Sequence, residues 1–394
     1  MRRRDVLRTL AGGASLALAG CLGGFGTQSA WRDPPLVEDR PDAVYVPAVT
    51  ESMGMYGRTS AGPYGLALLY SYPHRFWNVT NRDREKVVVT NDDAVHLMVA
   101  VWDEASGRVL PTGSDVSVRV DRDGSTVTQE VLYPMLSQQM GFHYGDNFPL
   151  DGEGDYTARV TVGRPGVERT GAFERRLEGV HSGEFAFTFD TDQVYGLELD
   201  RTGDRAGERD AIPPMKMDVG MGGATGQHNG SNGSDADHGG MDHDGMDRDD
   251  GANGSAGTGM DGGHSMGVVP PVETLPGTHV GRTTTGDAVL DLLAVERDGG
   301  ETLVVVARTP YNEFVLPSMS LSATVRRGGE TAFDDRLVET LSPDLGSHYA
   351  APVDALADGD EVTLRVAVPP QVARHDGYET AFFEMPERTV TVER

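Results

Sequence analysis

The sequence predicts an all-β protein made of two immunoglobulin-like β-sandwich domains, joined by a disordered linker rich in Met, His, Gly and Asp. Three observations predict this class. Short runs of alternating apolar and polar residues recur in both halves of the chain, turn residues separate these runs, and no long amphipathic helix pattern is present. A length of 394 residues, 38% of them hydrophobic, is sufficient for two domains with an additional tail or linker.

The composition is strongly acidic. The chain has 34 Lys and Arg against 61 Asp and Glu, a formal charge of −27, and only Lys86 and Lys216 among its basic residues are lysines. This charge argues against nucleic acid and anionic membrane surfaces as partners, because both would repel the protein. An acid-rich surface almost without lysine is typical of an extreme halophile, in which molar salt screens the self-repulsion.

Residues 1–21 have the pattern of an export signal. Arginines at positions 2 to 4 precede a short apolar run from Leu10 to Ala19, which is too short to span a bilayer. The arginines and the residues up to Leu7 resemble a twin-arginine signal, and the residues before Cys21 resemble a lipobox. We therefore expect export by the twin-arginine route and a lipid anchor on Cys21 at the extracytoplasmic face of the membrane. Cys21 is the only cysteine, so the chain has no intrachain disulfide and no Cys-based metal site.

The first predicted sandwich occupies residues 46–202, after a tether at residues 22–45 that is rich in Gly, Pro, Asp and Arg. Turn residues such as Asp121–Gly124 separate its strands. The predicted strands are Val87–Val89, His96–Trp102, Val116–Val120, Tyr156–Val162 and Glu184–Phe189.

The composition changes abruptly in the predicted linker, residues 203–267. Residues 215–266 contain seven methionines, four histidines and fifteen glycines without any aromatic residue, so this segment cannot bury a core. Thioether and imidazole groups together suit copper, and Met favours Cu(I). An acidic spacer with incidental Met and His is the other interpretation. The candidate capture residues are Met241, His243, Met246, His238, His264 and Met266.

The second predicted sandwich, residues 268–394, looks like a diverged copy of the first. Val109-Leu110-Pro111 matches Val315-Leu316-Pro317, and His143-Tyr144 matches His348-Tyr349 at nearly the same offset. We expect an internal duplication, and therefore an internal pseudo-dimer or a homo-oligomer. The predicted strands of this half are Val289–Val295, Thr302–Val306, Leu321–Val325, Val362–Val368 and Thr389–Val392.

A candidate metal site lies in the first half. The segment Tyr133-Pro134-Met135 is followed by Gly141–Asn147, which reads Gly-Phe-His-Tyr-Gly-Asp-Asn. Upstream, His96 and Met98 lie two residues apart on a predicted strand and therefore on the same face. This pattern resembles the periplasmic iron-transport family, small immunoglobulin-like proteins that bind copper and assist iron uptake beside a membrane permease. The resemblance extends over about residues 60–190 and, more weakly, 287–394.

The resemblance implies that His96, Met135 and His143 bind the metal ion. Met98 stands where the family has a glutamate, and this exchange of a hard oxygen for a soft sulfur favours copper over iron. The family's later histidine has no counterpart in the first half, whereas the second half has Arg374-His375 at that place. Either His181 completes the site within the first domain, or His375 completes it across a pseudo-dimer interface.

These observations predict a non-enzymatic protein that captures copper and/or iron and passes it to a membrane permease. The alternative is a structural or adhesive surface lipoprotein without a metal role. A copper-dependent redox enzyme is less favoured, because no Cys is left for a thiolate copper centre and the sequence shows no multi-histidine cluster. Met53 and Met55 are either further soft ligands or part of a packing segment.

Overall fold

The computed structural model describes residues 34–111, 115–215, 267–297 and 299–394. Regular structure in these ranges is almost entirely β, which confirms the predicted all-β class. The signal with Cys21 and the six candidate capture residues of the linker lie outside the described residues. Within the described part of the chain, no helix has the length and apolar character needed to cross a bilayer.

The first half contributes fourteen of the strands in the described residues, together with two short helices. The strands are β1 (Val49–Glu51), β2 (Gly54–Ala61), β3 (Tyr64–Ser71), β4 (Phe76–Thr80), β5 (Asp83–Val87), β6 (Asp93–Asp103), β7 (Val116–Arg122), β8 (Ser125–Val131), β9 (Tyr133–Ser137), β10 (Gly141–Pro149), β11 (Gly154–Val162), β12 (Glu168–Arg169), β13 (His181–Phe189) and β14 (Leu199–Arg201). The helices are α1 (Phe173–Arg176) and α2 (Thr191–Tyr195).

The strands of the first half form two facing sheets. One sheet begins with the order β2-β3-β6-β10-β9, continues with one strand of the second half, and ends with β4 and β5. The other sheet has the order β13-β11-β7-β8. Val116, Val118 and Val120 alternate with more exposed residues along β7 and are fully buried between the sheets. This period of two is the pattern of a strand with one face on a sandwich core.

Nine strands lie in the described residues of the second half. They are β15 (Thr278–Thr285), β16 (Ala288–Arg297), β17 (Gly300–Arg308), β18 (Ser320–Arg327), β19 (Glu330–Ser342), β20 (Gly346–Val353), β21 (Glu361–Val368), β22 (Ala373–Arg374) and β23 (Arg388–Thr391).

Strand pairing repeats between the halves. The order β15-β16-β17-β20-β19 in the second half corresponds to β2-β3-β6-β10-β9 in the first. The N-terminal part of β19 pairs with β18, as β8 pairs with β7. Individual hydrogen bonds repeat as well: Tyr144 donates to the Leu110 carbonyl and Tyr349 to the Leu316 carbonyl, both at 3.0 Å. This agreement supports the predicted duplication.

The two halves exchange one short strand each. Strand β22 of the second half lies between β9 and β4 in the first sheet, where Ala373 pairs with Met135 and Arg374 pairs with Trp77. Strand β12 of the first half pairs with β19 in the second sheet, with Glu168 opposite Thr340. The halves therefore interlock through backbone hydrogen bonds, and residues 268–394 supply part of the first sheet.

Three sequence predictions need correction. The described part of the predicted tether is packed: Tyr45 is buried, and its hydroxyl donates to a Glu379 carboxylate oxygen at 2.6 Å. The linker was predicted to begin at residue 203, yet residues up to 215 lie against the protein, with Ile212 buried. The strand predicted at Val87–Val89 ends at Val87, and Val88 is 57% exposed.

Candidate metal centre

The candidate centre lies on the outer face of the first sheet, away from the sandwich core. On β6, Leu97 points into the main core, so its neighbour His96 points to the opposite face. The register places Met135 of β9 directly opposite His143 of β10, and Asn147 of β10 opposite His96. Three neighbouring strands thus bring two imidazoles and a thioether to one face.

In the segment from His143 to Asn147, alternate residues lie on opposite faces of the sheet. His143, Gly145 and Asn147 share the outer face of β10, whereas Tyr144 faces the core. A Cβ atom at Gly145 would lie 3.0 Å from His96 Nε2 and 3.1 Å from the Met135 sulfur. The glycine therefore leaves open the space toward which these two donor atoms point.

The second half adds a further histidine. Just after β22, the His375 backbone N–H donates to the Leu136 carbonyl at 3.1 Å, which carries the imidazole to the outer face of the first sheet. Its Nδ1 lies 3.1 Å from Nε2 of His74, which follows β3. One ring nitrogen each of His74, His96 and His375 lie within 4.8 Å of one another, and the His143 and His375 rings are 5.4 Å apart.

Hydrogen bonds assign the tautomers of two of these histidines. His143 Nδ1 lies 3.0 Å from the Gly141 carbonyl, which can only accept, so Nδ1 carries the proton. The Asn147 amide nitrogen donates to the His74 carbonyl at 3.0 Å, which leaves Asn147 Oδ1 to accept from His96 Nδ1 at 2.9 Å. Nε2 of His96 and of His143 therefore carries the lone pair, as a metal ligand requires.

The same reasoning extends to the His74 and His375 pair. His74 Nδ1 lies 3.0 Å from the Tyr72 carbonyl and donates to it, so His74 Nε2 accepts from His375 Nδ1. This leaves the lone pair of His375 on Nε2. The Nε2 atoms of His96, His143 and His375 are all buried without a hydrogen-bond partner.

Burial keeps these imidazoles uncharged. It lowers the pKa of His143 to about 4, and it lowers the pKa values of His96 and His375 well below the ordinary value, with nearby His74 as a second cause. Neutral imidazole is the form that binds metal ions.

A carboxylate lies beside the imidazoles on the His74 side. Glu51 Oε2 is 3.3 Å from His74 Nδ1, and burial raises the pKa of Glu51. Glu51 comes from β1 and lines the same cavity as Met98. Because His74 Nε2 accepts from His375 Nδ1, Glu51 is connected to the candidate ligand His375 only through His74.

The structure brings together most, but not all, of the residues predicted from the sequence. His96, Met135, His143 and His375 lie at one place, and buried Met98 lines the adjoining cavity with His74 and His375. The expectation that the chain has no multi-histidine cluster is therefore wrong.

His181 lies elsewhere. Its Nε2 is 3.0 Å from the Glu178 carbonyl, and its ring packs edge-on against Tyr64. Tyr64 pairs with Asp103 at the opposite end of β6 from His96, roughly 20 Å away at the rise of a β-strand. Of the two alternatives for completing the site, the structure places His375 at the centre and leaves His181 distant.

Two residues of the centre, His74 and Glu51, were missed by the sequence reasoning. Neither belongs to a recognisable spacing, and they meet only because β1 and the end of β3 converge in the fold. The only local signal is a histidine directly after a long apolar run.

The equivalent position in the second half has lost the donor set. His348 keeps the hydrogen bond of its counterpart, with Nδ1 3.0 Å from the Gly346 carbonyl, and its buried Nε2 likewise has no partner. Around His348, however, the positions equivalent to His96, Met135, His375 and Gly145 hold residues that have no imidazole or thioether group. These are Thr302 for His96, Thr340 for Met135, Thr170 for His375 and Ala350 for Gly145.

Two family models match parts of this chain. Residues 105–195 match the family model described as Fe2+ transport protein, and residues 273–391 match a domain of unknown function, DUF7350. The fold and the site thus define a β-sandwich protein with a histidine- and methionine-lined centre. For residues 105–195, which include Met135 and His143, the resemblance to the iron-transport family is confirmed.

Two solved structures of FetP from uropathogenic Escherichia coli strain F11 are similar to this chain at 16% identity. The copper-bound variant covers 35% of this chain and 93% of its own chain with a TM-score of 0.27. The as-isolated protein covers 36% and 96% with a TM-score of 0.25. No curated protein matches this chain.

Proposed function

We propose that this protein is a lipid-anchored, extracytoplasmic metal-binding protein that captures copper, or iron together with copper, and passes it to a membrane permease. The ion binds at the centre formed by His96, Met135, His143 and His375. The mechanism is capture and transfer, without a chemical reaction. The family match at residues 105–195 supports a role in metal transport.

The observation that carries the proposal is the set of three buried Nε2 atoms without partners, on His96, His143 and His375. An unsatisfied buried polar atom costs about 1–3 kcal/mol, so several at one place need a compensating partner. His96 Nε2 and the Met135 sulfur lie at the space that Gly145 leaves open, one ring nitrogen of His375 lies within 4.8 Å of one of His96, and the His143 ring is 5.4 Å from the His375 ring. A metal ion would satisfy all of them at once. A structural or adhesive role, the alternative from the sequence, gives no reason for this arrangement.

The donor set favours copper over iron. Imidazole nitrogens suit both metals, but the thioether of Met135 is a soft ligand that selects for Cu(I). Met98, in place of the family's glutamate, removes a hard oxygen from the same face of β6. Two carboxylates, Glu51 and Asp376, line the adjoining cavity, and both have other partners: Glu51 approaches His74 Nδ1, and Asp376 accepts hydrogen bonds from Arg75.

The direct test is metal analysis of the purified mature protein, followed by copper and iron titration of His143→Ala. The matched control is His348→Ala, because His348 has the same burial and the same backbone hydrogen bond but lies among threonines. We expect the copper affinity to fall at least about tenfold in His143→Ala and to stay unchanged in His348→Ala. Equal affinity and stoichiometry in all three proteins would disprove the proposed centre.

Anchoring through Cys21 and capture by Met241, His243 and the other linker residues complete the proposed function. The anchor is tested by comparing how the wild-type protein and the Cys21→Ser variant partition into detergent. Release of the variant into the aqueous phase supports the anchor, and identical partitioning contradicts it.

A further inference from the structure

The inference concerns four methionines beside the imidazole centre. Met98 and Met140 are each 2% exposed and pack with Ala67, Leu69 and Ala100 in a small apolar cluster on the outer face of the first sheet. Met53 and Met215 are partly buried against the same cluster. We refer to Met53, Met98, Met140 and Met215 as the thioether cluster.

The thioether cluster is unusual for this protein. The main core, which is far larger, contains only two buried methionines in the described residues, Met319 and Met385. The outer cluster is much smaller and holds four. Met is a flexible residue that fills irregular gaps and is used sparingly in cores, so burial alone does not explain this concentration.

The duplication provides an internal comparison. Val304 is the counterpart of Met98, because each precedes the residue that pairs with the equivalent tyrosine, Tyr349 or Tyr144. Leu345, in the turn before β20, is the counterpart of Met140 in the turn before β10. In both turns the backbone N–H donates to a serine hydroxyl at 3.1 Å. The same scaffold is therefore built with hydrocarbon side chains in the half that lacks the donor set, and with thioethers in the half that has it.

The thioether cluster is continuous with the imidazole centre. Met53 and Met98 line one cavity together with His74 and His375. Met215 is held beside Met140, because its backbone N–H donates at 2.9 Å to the carbonyl of Gln139, which also lines this cavity. A soft ion held by these sulfur atoms would thus lie beside the cavity that leads to the imidazoles.

We propose that Met53, Met98, Met140 and Met215 form a second site, which holds Cu(I) through thioether sulfur and delivers it to the imidazole centre. This inference rests on the proposed function. Thioethers are neutral and soft, so they bind Cu(I) without proton release and discriminate against Fe(II), Ca(II) and Mg(II). The ion keeps its oxidation state in the cluster. A site made only of weak ligands suits a position from which the ion must move on.

The test uses Ag(I), a redox-inert soft d10 ion, in nitrate buffer because chloride would precipitate it. The full mature chain carries 13C-labelled methionine methyl groups, and Met140→Leu and Met215→Leu identify two of the resonances. We expect both resonances to shift on Ag(I) addition, whereas those of Met319 and Met385, identified in the same way, stay in place. Unshifted Met140 and Met215 resonances at saturation would overturn the site and mark the cluster as ordinary packing.

Stoichiometry gives a second, independent measurement. The double variant Met140→Leu/Met215→Leu should bind about one Ag(I) fewer than the wild type, and the control Met319→Leu/Met385→Leu should bind as many as the wild type. Cu(II) binding at the imidazoles, followed by its visible absorption, should stay unchanged in both.

The two proposals fail in different ways. Loss of Cu(II) binding in His143→Ala with no loss of Ag(I) in the Met140→Leu/Met215→Leu variant would retain the imidazole centre and remove the thioether cluster. The reverse pattern would retain the thioether cluster and remove the imidazole centre.

Discussion

His74 and His375 are 301 positions apart in sequence, yet His74 Nε2 accepts a hydrogen bond of 3.1 Å from His375 Nδ1. Their neighbours reinforce the contact, because buried Arg75 donates to both carboxylate oxygens of Asp376 at 3.2 and 2.6 Å. The bidentate pair and the imidazole pair together fix the loop after β22 against the first sheet. The candidate centre is therefore complete only when both halves are docked.

Replacing His375 tests this dependence. We expect His375→Ala to lower copper affinity at least about tenfold, because it removes one lone pair and frees the His74 ring. His181→Ala is the matched control, since His181 was an equal candidate in the sequence but lies at the far end of the sheet. Isothermal titration of both variants with copper measures the two affinities. A larger loss of copper affinity in His181→Ala than in His375→Ala would contradict the assignment of His375 to the centre.

Gly145 should tolerate no side chain when metal is bound. A methyl group there would lie 3.0 Å from His96 Nε2 and would fill the space in front of it, so we expect Gly145→Ala to weaken copper binding by about 10- to 100-fold. Gly166→Ala is the control, because a Cβ atom there meets nothing within 4 Å. Thermal unfolding of the metal-free proteins checks that folding is intact. Wild-type affinity in Gly145→Ala would show that the ion does not bind in front of Gly145.

Cutting the chain between the halves should not separate them. With a protease site inserted between residues 216 and 266, we expect the two fragments to co-elute in size-exclusion chromatography and to keep their copper affinity. The reason is the exchange of β12 and β22, which places backbone hydrogen bonds of each half in the sheet of the other. Addition of urea should then separate the fragments. Separation without denaturant would contradict the interlocked arrangement.

The carboxyl group of Glu339 should make stability depend on pH. Burial raises the pKa of Glu339 to about 7 in the folded protein, above the value of 4.5 expected when it is exposed. A raised folded-state pKa means that the stabilisation is present below about pH 4.5 and is lost as pH rises toward 7, by up to about 3 kcal/mol. The nearby Tyr349 stays neutral, since burial raises its pKa well above the ordinary value.

Glu339→Gln removes this titration but keeps an oxygen that can accept from the Ser318 N–H, a bond of 2.9 Å. We therefore expect the melting temperature of the variant, relative to that of the wild type, to be higher at pH 8 than at pH 4.5. Melting curves at the two pH values provide the measurement. A constant difference between the proteins would mean that Glu339 does not titrate in this range.

The local sequence pattern was sufficient to predict many of the strands. The alternation in Val116–Val120 and Tyr156–Val162 predicts β7 and β11 correctly, because each strand has one buried and one exposed face. Strand β3 was not predicted, since all eight of its residues are buried and the alternation disappears. The strand exchange was also beyond local pattern, because β12 and β22 are two residues long and are defined only by their partners.

The sequence by itself predicted the all-β class from strand periodicity, which is a local property, and the duplication from matching segments. Its resemblance to the iron-transport family implied His96, Met135 and His143 as ligands, with either His181 or His375 completing the site. Only the tertiary structure chose His375 over His181 and added His74 and Glu51. It also revealed the thioether cluster, whose members come from four separate segments. The physical reason is that a metal centre depends on distances between side chains, and those distances arise from sheet register and strand exchange between residues far apart in the chain.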